Sequence, residues 1–326
     1  MFFDREKELS YLRSLLNSEP NQILFIYGPI NSGKTTLLLK FLESLGDEGI
    51  GIYVNLRSRP ILRFDDFKDL LFSRTRSRDV LPLVLASMEV IFGIPVPKKI
   101  WETIESLRDA FDYITDFLGK LRKKGRLPII VFDELQVLKD LKVNGPLIYE
   151  LFNFFIHLTK ELHLAHVIVS TSDGLFLSNV YTHASLYGRA KYFLVDDFDE
   201  ETALAFLISN GLTEEESKIV VEYFGGKPVY LVEVINEKRA GRDIEEYCRE
   251  QFMVRLNQVK PLVRKLNDPS ILIDLGEREV LEYDELTEDM LMLARENVIF
   301  IDPVRGVIRP QGRLELKVIR FISEKL

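Results

Sequence analysis

The sequence predicts a doubly wound α/β fold, a parallel sheet with helices on both faces, followed by a helical unit and a smaller helix-and-hairpin unit. Three observations predict it. Five short runs of β-formers, at 22–27 (QILFIY), 50–55 (IGIYVN), 127–132 (LPIIVF), 165–170 (AHVIVS) and 191–195 (KYFLV), alternate with stretches of helical periodicity. The first run opens into the glycine-rich turn Gly28-Pro29-Ile30-Asn31-Ser32-Gly33-Lys34-Thr35-Thr36, and a helical pattern follows it. From Asp199 onward helical patterns take over, until a hairpin signal near the C-terminus.

Residues 3–16 read as an amphipathic helix with Phe3, Leu9, Leu12, Leu15 and Leu16 on one face. The turn after the first strand fits G-x-x-x-x-G-K-[ST], a phosphate-binding loop. Leu37, Leu38, Phe41, Leu42 and Leu45 follow at helical spacing, and Gly46 sits where a C′ glycine ends a helix. The loop therefore lies at a helix N-terminus, where backbone N–H groups and the helix dipole face an anion. Gly28 and Gly33 are expected to let the backbone curl around phosphate, with Pro29, Ile30, Asn31, Ser32 and Thr36 completing the cradle. Lys34 would set an ammonium against the β- and γ-phosphates, and Thr35 would offer a hydroxyl to Mg²⁺.

After the second strand, residues 57–125 read as a long helical insertion, broken at Gly93-Ile94-Pro95-Val96-Pro97 by a turn or extended link. Its early part is basic, with Arg57, Arg59, Arg63, Lys68, Arg74, Arg76 and Arg78. This is either a solvated face or a contact surface for nucleic acid or an acidic partner; the phenylalanines there are spaced for a core rather than for base stacking. The third strand ends in Asp133-Glu134, the form of a Walker B strand. At the carboxyl edge of a parallel sheet Asp133 would hold Mg²⁺, and Glu134 would orient or deprotonate the attacking water. The fourth strand ends in Ser170-Thr171-Ser172-Asp173-Gly174, whose hydroxyls either sense a γ-phosphate or simply make a turn. Arg189, before the fifth strand, is a candidate for stabilising phosphate charge.

Beyond the core, Thr213 and Glu216 make a capping box, and Pro228 sits as a first helical residue after Gly225-Gly226-Lys227. Residues 244–266 are helical, Thr287 caps a short helix to Arg295, and 298–301 with 307–309 read as a hairpin before a last helix at 314–323. The expected divisions are a core at 1–197, a helical lid at 198–240, and a winged-helix-like unit at 241–326. Composition is that of a globular chain, with 46% hydrophobic and 29% charged residues, which 326 residues can organise as two or three domains. A single cysteine, Cys248, excludes a disulfide framework and fits a reducing cytoplasm. No run is apolar for long enough to span a bilayer, and the net charge of -8 argues against a broad nucleic-acid-coating surface.

The chain resembles the archaeal ATPase family within the AAA+/STAND class of P-loop proteins. The resemblance spans essentially the whole length and rests on Phe3-Asp4-Arg5-Glu6-Lys7-Glu8-Leu9, GPINSGKTT at 28–36, FDELQ at 132–136, STSDG at 170–174, Gly188-Arg189 and Gly225-Gly226-Lys227-Pro228. It implies the strand order 5-1-4-3-2, Arg5 near the nucleotide base, and Pro228 touching the nucleotide from a lid helix. It also implies sensor hydroxyls at Thr171 or Ser172, and a C-terminal winged helix. The function that follows is Mg²⁺-dependent binding and hydrolysis of ATP, driving a conformational switch, with a protein partner or self-association. The alternative is an ATP-gated DNA-binding regulator acting through the tail, although Glu288, Asp289 and Glu296 crowd the helix that would enter a groove. A small-molecule P-loop kinase is a third class, disfavoured because no separate acceptor-binding lid is apparent.

Overall fold

A computed structural model describes residues 2–86, 90–141 and 146–325. Helix α1 (Glu6–Arg13) leads into β1 (Ile23–Tyr27), the glycine-rich turn, α2 (Lys34–Glu43) and β2 (Gly49–Asn55). The segment after β2 folds as α3 (Phe64–Leu71), β3 (Phe72–Thr75), α4 (Leu81–Ala86), β4 (Ile91–Phe92), β5 (Ile94–Pro97), α5 (Lys98–Trp101) and α6 (Leu107–Lys123). Then come β6 (Leu127–Asp133), α7 (Leu147–Ile156), β7 (His166–Thr171), α8 (Gly174–Tyr181) and β8 (Ala190–Leu194).

The main sheet is parallel, in the order β4-β2-β6-β7-β1-β8. Five of its strands follow the expected order 5-1-4-3-2, and β4 adds an edge. Strands β1, β6 and β7 are buried along their whole length, which is why they read as unbroken apolar runs rather than alternating ones. Each fully buried Phe or Ile on them stabilises the fold by roughly 1.5–3 kcal/mol. The edge strand β8 is only half-buried.

The insertion is not wholly helical, contrary to the sequence reading. Gly93 turns the chain at a φ of 72°, and β5 then runs beside β3 as a separate parallel ribbon. Pro95 and Pro97 favour extended backbone and lack a donor, so they suit a ribbon that, among the described residues, has two strands. Buried Phe72, Ile94 and Val96 tie this ribbon to the core.

Four helices follow the sheet: α9 (Glu200–Ser209), α10 (Glu214–Phe224), α11 (Pro228–Arg239) and α12 (Ile244–Val263). Thr213 and Glu216 form the capping box of α10, and Pro228 is the first residue of α11. The last part contains α13 (Ser270–Arg278), β9 (Leu281–Glu282), α14 (Glu288–Arg295), β10 (Ile299–Asp302), β11 (Val307–Pro310) and α15 (Arg313–Ser323). Its three strands make a small antiparallel sheet, β10-β11-β9. Helix α12 serves two cores: Tyr247 and Cys248 pack with α9–α11, while Leu256 and Val259 pack with the C-terminal part. Packing therefore does not divide the chain at residue 241.

The C-terminal hairpin docks on the core. A Cβ on Gly174 would lie 2.4 Å from the Ile301 carbonyl oxygen, so α8 begins in direct contact with β10. The phenol of Tyr27, the last residue of β1, donates to Asp302 Oδ1 at 3.2 Å.

Candidate active site

The carboxyl ends of β1, β6 and β7 meet in the crevice where open parallel sheets place their ligands. The turn after β1 enters α2 through Gly33, whose φ of 90° only glycine adopts without strain. Gly28 is needed for another reason than the one expected. A Cβ there would lie 2.1 Å from the carbonyl oxygen of Val195, so its absence lets the chain leaving β8 pass against the loop. Lys34 folds back into the loop and donates to the carbonyls of Gly28 at 3.0 Å and Pro29 at 2.7 Å, and to Ser32 Oγ at 3.3 Å. Burial, with nearby Lys227 acting in the same sense, lowers its pKa to about 8, while Glu134, Asp133 and Asp197 oppose the shift.

Asp133, 1% exposed, is the hub of a hydroxyl network. Its Oδ2 accepts from Thr35 Oγ1 at 2.7 Å and from the Tyr53 phenol at 2.5 Å, and its Oδ1 accepts from Ser170 Oγ at 2.5 Å. Thr35 and Asp133 thus bring hard oxygen donors together, a set that fits Mg²⁺. Glu134 behaves differently. It takes a left-handed conformation (φ 65°, ψ 45°) that costs a non-glycine residue about 1 kcal/mol or more. Its Oε2 receives Gln136 Nε2 at 2.7 Å and Arg57 at 2.5 Å.

A cleft of about 390 Å³ is lined by loop residues 30–36 together with Arg5, Arg57, Glu134, Ser172 and Phe198, and, from the helix opposite, by Pro228 and Val232. Arg5 lines the cleft; it pairs with Glu8 at 2.7 Å and donates to Ser32 O at 3.0 Å and Asp196 O at 2.7 Å, with Phe198 beneath the guanidinium at 4.5 Å. Lys227, adjoining Pro228, donates to Ile30 O at 3.2 Å and pairs with Asp197 at 3.0 Å. Burial raises the Asp197 carboxyl pKa, while Lys227 pulls it back down. Arg309 of β11 reaches Asp196 at 2.6 Å, so one short segment touches loop, lid and C-terminal hairpin.

Two sequence candidates are not brought to the site. Thr171 turns its hydroxyl to the Asp173 N–H at 3.1 Å, closing its own turn, because strand alternation aims Ser170 at Asp133 instead. Ser172 does line the cleft. Arg189 lies at the opposite end of the sheet: its carbonyl accepts from Ile23 N at the start of β1, and its guanidinium bonds Ser185 O at 3.1 Å. No reorientation spans the length of β1, so Arg189 is withdrawn as a phosphate ligand. Asp289, counted among groove-facing acids, is instead buried, accepting the N–H groups of Asn267 and Asp268.

Tyr53, Gln136 and Lys227 are not singled out by the sequence, which offers Ser170 only as one of several hydroxyls at a strand end and Arg57 only as part of a basic stretch. Of the first three, Tyr53 alone left a signal, a phenol inside an apolar strand that needs a buried partner.

A family model described as an ATPase domain predominantly from Archaea matches residues 2–234. An uncharacterized ATP-binding protein of Pyrococcus abyssi is 47% identical over 98% of both chains. Another uncharacterized ATP-binding protein, from Methanocaldococcus jannaschii, is 40% identical over 100% of this chain and 98% of its own. Among solved structures, a Walker-type ATPase of Pyrococcus abyssi superposes with a TM-score of 0.66 at 21% identity, covering 98% of this chain and 96% of that one. The Aeropyrum pernix ORC2 protein superposes with 0.52 at 14% identity, covering 99% and 95%. These two likenesses concern the fold alone. On the matched span and the full-length identity to its relatives, the chain belongs to the archaeal ATPase family.

Proposed function

We propose that this chain binds Mg·ATP in the cleft between sheet and lid and hydrolyses it, using the nucleotide to set contacts among core, lid and C-terminal unit. The observation that carries the reading is the meeting of Lys34, Thr35, Asp133 and Glu134 at the carboxyl edge of the sheet. In it, the N–H groups at the start of α2 and the Lys34 ammonium take the phosphates. Thr35 and Asp133 hold Mg²⁺, which neutralises phosphate charge. Ser172 and Pro228 contact the nucleotide from either side, and Glu134 orients the attacking water once it lets go of Arg57. The segment Asp196-Asp197 gives the switch a route, since Arg5, Lys227 and Arg309 all bind it.

The test is phosphate release. Glu134→Gln should lower the rate by about 10²–10⁴-fold while leaving Mg·ATP affinity close to wild type. An unchanged rate would remove Glu134 from the chemistry.

A second reading, an ATP-gated DNA binder acting through a winged helix, takes its support from the helix, strand, helix and hairpin of α13–β11 and from the burial of Asp289. It requires DNA binding that weakens steeply with salt; absence of binding at low salt would dismiss it.

A further inference from the structure

We propose that Tyr53 and Ser170 are positioning residues for the divalent cation, holding the two oxygens of Asp133 so that the carboxylate stands beside the Thr35 hydroxyl. The inference rests on the reading of Asp133 as the magnesium carboxylate.

The geometry follows from the sheet. In the β2–β6 pairing Tyr53 faces Val131 and Asn55 faces Asp133, so alternation puts Tyr53, Val131 and Asp133 on the face that carries α2. A phenol is long enough to reach two residues forward, and it does, at 2.5 Å. The ring is 3% exposed, and Phe92 of β4 meets it edge-on at 5.7 Å and 76°. Gly93 N–H also holds the Tyr53 carbonyl at 2.9 Å, so neither ring nor backbone is free to swing. From the other side Ser170, 0% exposed, fixes Oδ1. Phenylalanine and alanine would satisfy the packing at these two places. The hydroxyls add orientation, and donors to a metal-binding carboxylate govern affinity almost as its ligands do.

The experiment is calorimetric titration of ATP into wild type, Tyr53→Phe and Ser170→Ala, in excess EDTA and across a Mg²⁺ series. In EDTA the three proteins should bind alike, which also reports that each is folded. The Mg²⁺ concentration giving half of the tightening should rise about tenfold in Tyr53→Phe, and in the same direction in Ser170→Ala. On an Asp133→Asn background Tyr53→Phe should add nothing. Wild-type Mg²⁺ dependence in both single variants would overturn the inference, leaving the hydroxyls as ordinary burial partners. If Tyr53→Phe folds poorly, Ser170→Ala decides by itself. A wild type whose ATP affinity ignores Mg²⁺ would overturn the underlying reading of Asp133, and that failure is visible before any variant is made.

Discussion

The two walls of the cleft are built from different materials. On the side proposed to hold the metal, Thr35, Tyr53 and Ser170 converge on Asp133 from α2, β2 and β7, neighbours fixed by the sheet and its packing. On the lid side the bonds are made by cations, to carboxylates and backbone carbonyls: Lys227 to Asp197 and Ile30, Arg309 to Asp196, Arg5 to Ser32 and Asp196. The first wall is a short-range hydroxyl–carboxylate network. The second is a set of charged and backbone bonds that tie the lid and the C-terminal hairpin to the core. The difference bears on the proposed switch: the Asp133 side is preorganised, whereas the lid side has discrete contacts that a bound nucleotide would make or break.

Breaking the lid side should have the largest effect on stability. Lys227→Met leaves Asp197, whose side chain is only 15% exposed, without its buried cation, and such broken pairs cost about 3–5 kcal/mol. Denaturant unfolding should register that loss, and a change under 1 kcal/mol would mean that the pair is solvated and the walls are alike. On the metal side the corresponding break is Lys34→Met. Its fold should survive, because a buried ammonium is exchanged for an apolar side chain of similar length. Its affinity for Mg·ATP should fall about 10–100-fold, the worth of a charge-assisted phosphate contact. Undiminished affinity in calorimetry would take Lys34 out of the site.

The pH dependence sharpens the contrast with a smaller effect. In the free protein Lys34 loses its proton near pH 8, and a triphosphate stabilises the ammonium and raises that pKa. Below about pH 8 affinity should therefore be level. Above it binding must take up a proton, so affinity should fall, by at most about tenfold per unit. Calorimetry from pH 7 to 10 would show the slope, and Lys34→Met should abolish it. A slope that survives the substitution belongs to another group.

The legible parts of this molecule were those written as local pattern. The five principal strands, the α10 capping box, Pro228 opening α11 and the turn before Lys34 follow from neighbours in sequence. The β3–β5 ribbon was missed because helical residues surround it and its strands have only four residues each. The partners of Asp133 and Glu134 were illegible for another reason. Tyr53 is 80 residues from Asp133, and which face of β2 it occupies depends on register, which a buried strand of continuous apolar residues does not declare. The resemblance to a family supplied the strand order, but it could not say which hydroxyl of 170–172 meets Asp133.

Arg189 separates local pattern from three-dimensional position most cleanly, and it carries the smallest predicted effect. In sequence it stands just before a strand of the nucleotide-binding sheet. In space that is the amino end of β8, paired with the start of β1, while the phosphate loop leaves the far end of the same strand. Among the described residues its guanidinium has one partner, a local carbonyl, and the side chain is exposed, so Arg189→Ala should change stability by no more than about 0.5 kcal/mol and leave Mg·ATP affinity and phosphate release at wild-type values. Titration and a phosphate-release assay on the single chain check this directly. A large loss of hydrolysis that grows with protein concentration would mean that Arg189 reaches a cleft on a second copy, and a lid that closes within one chain would then no longer account for the activity.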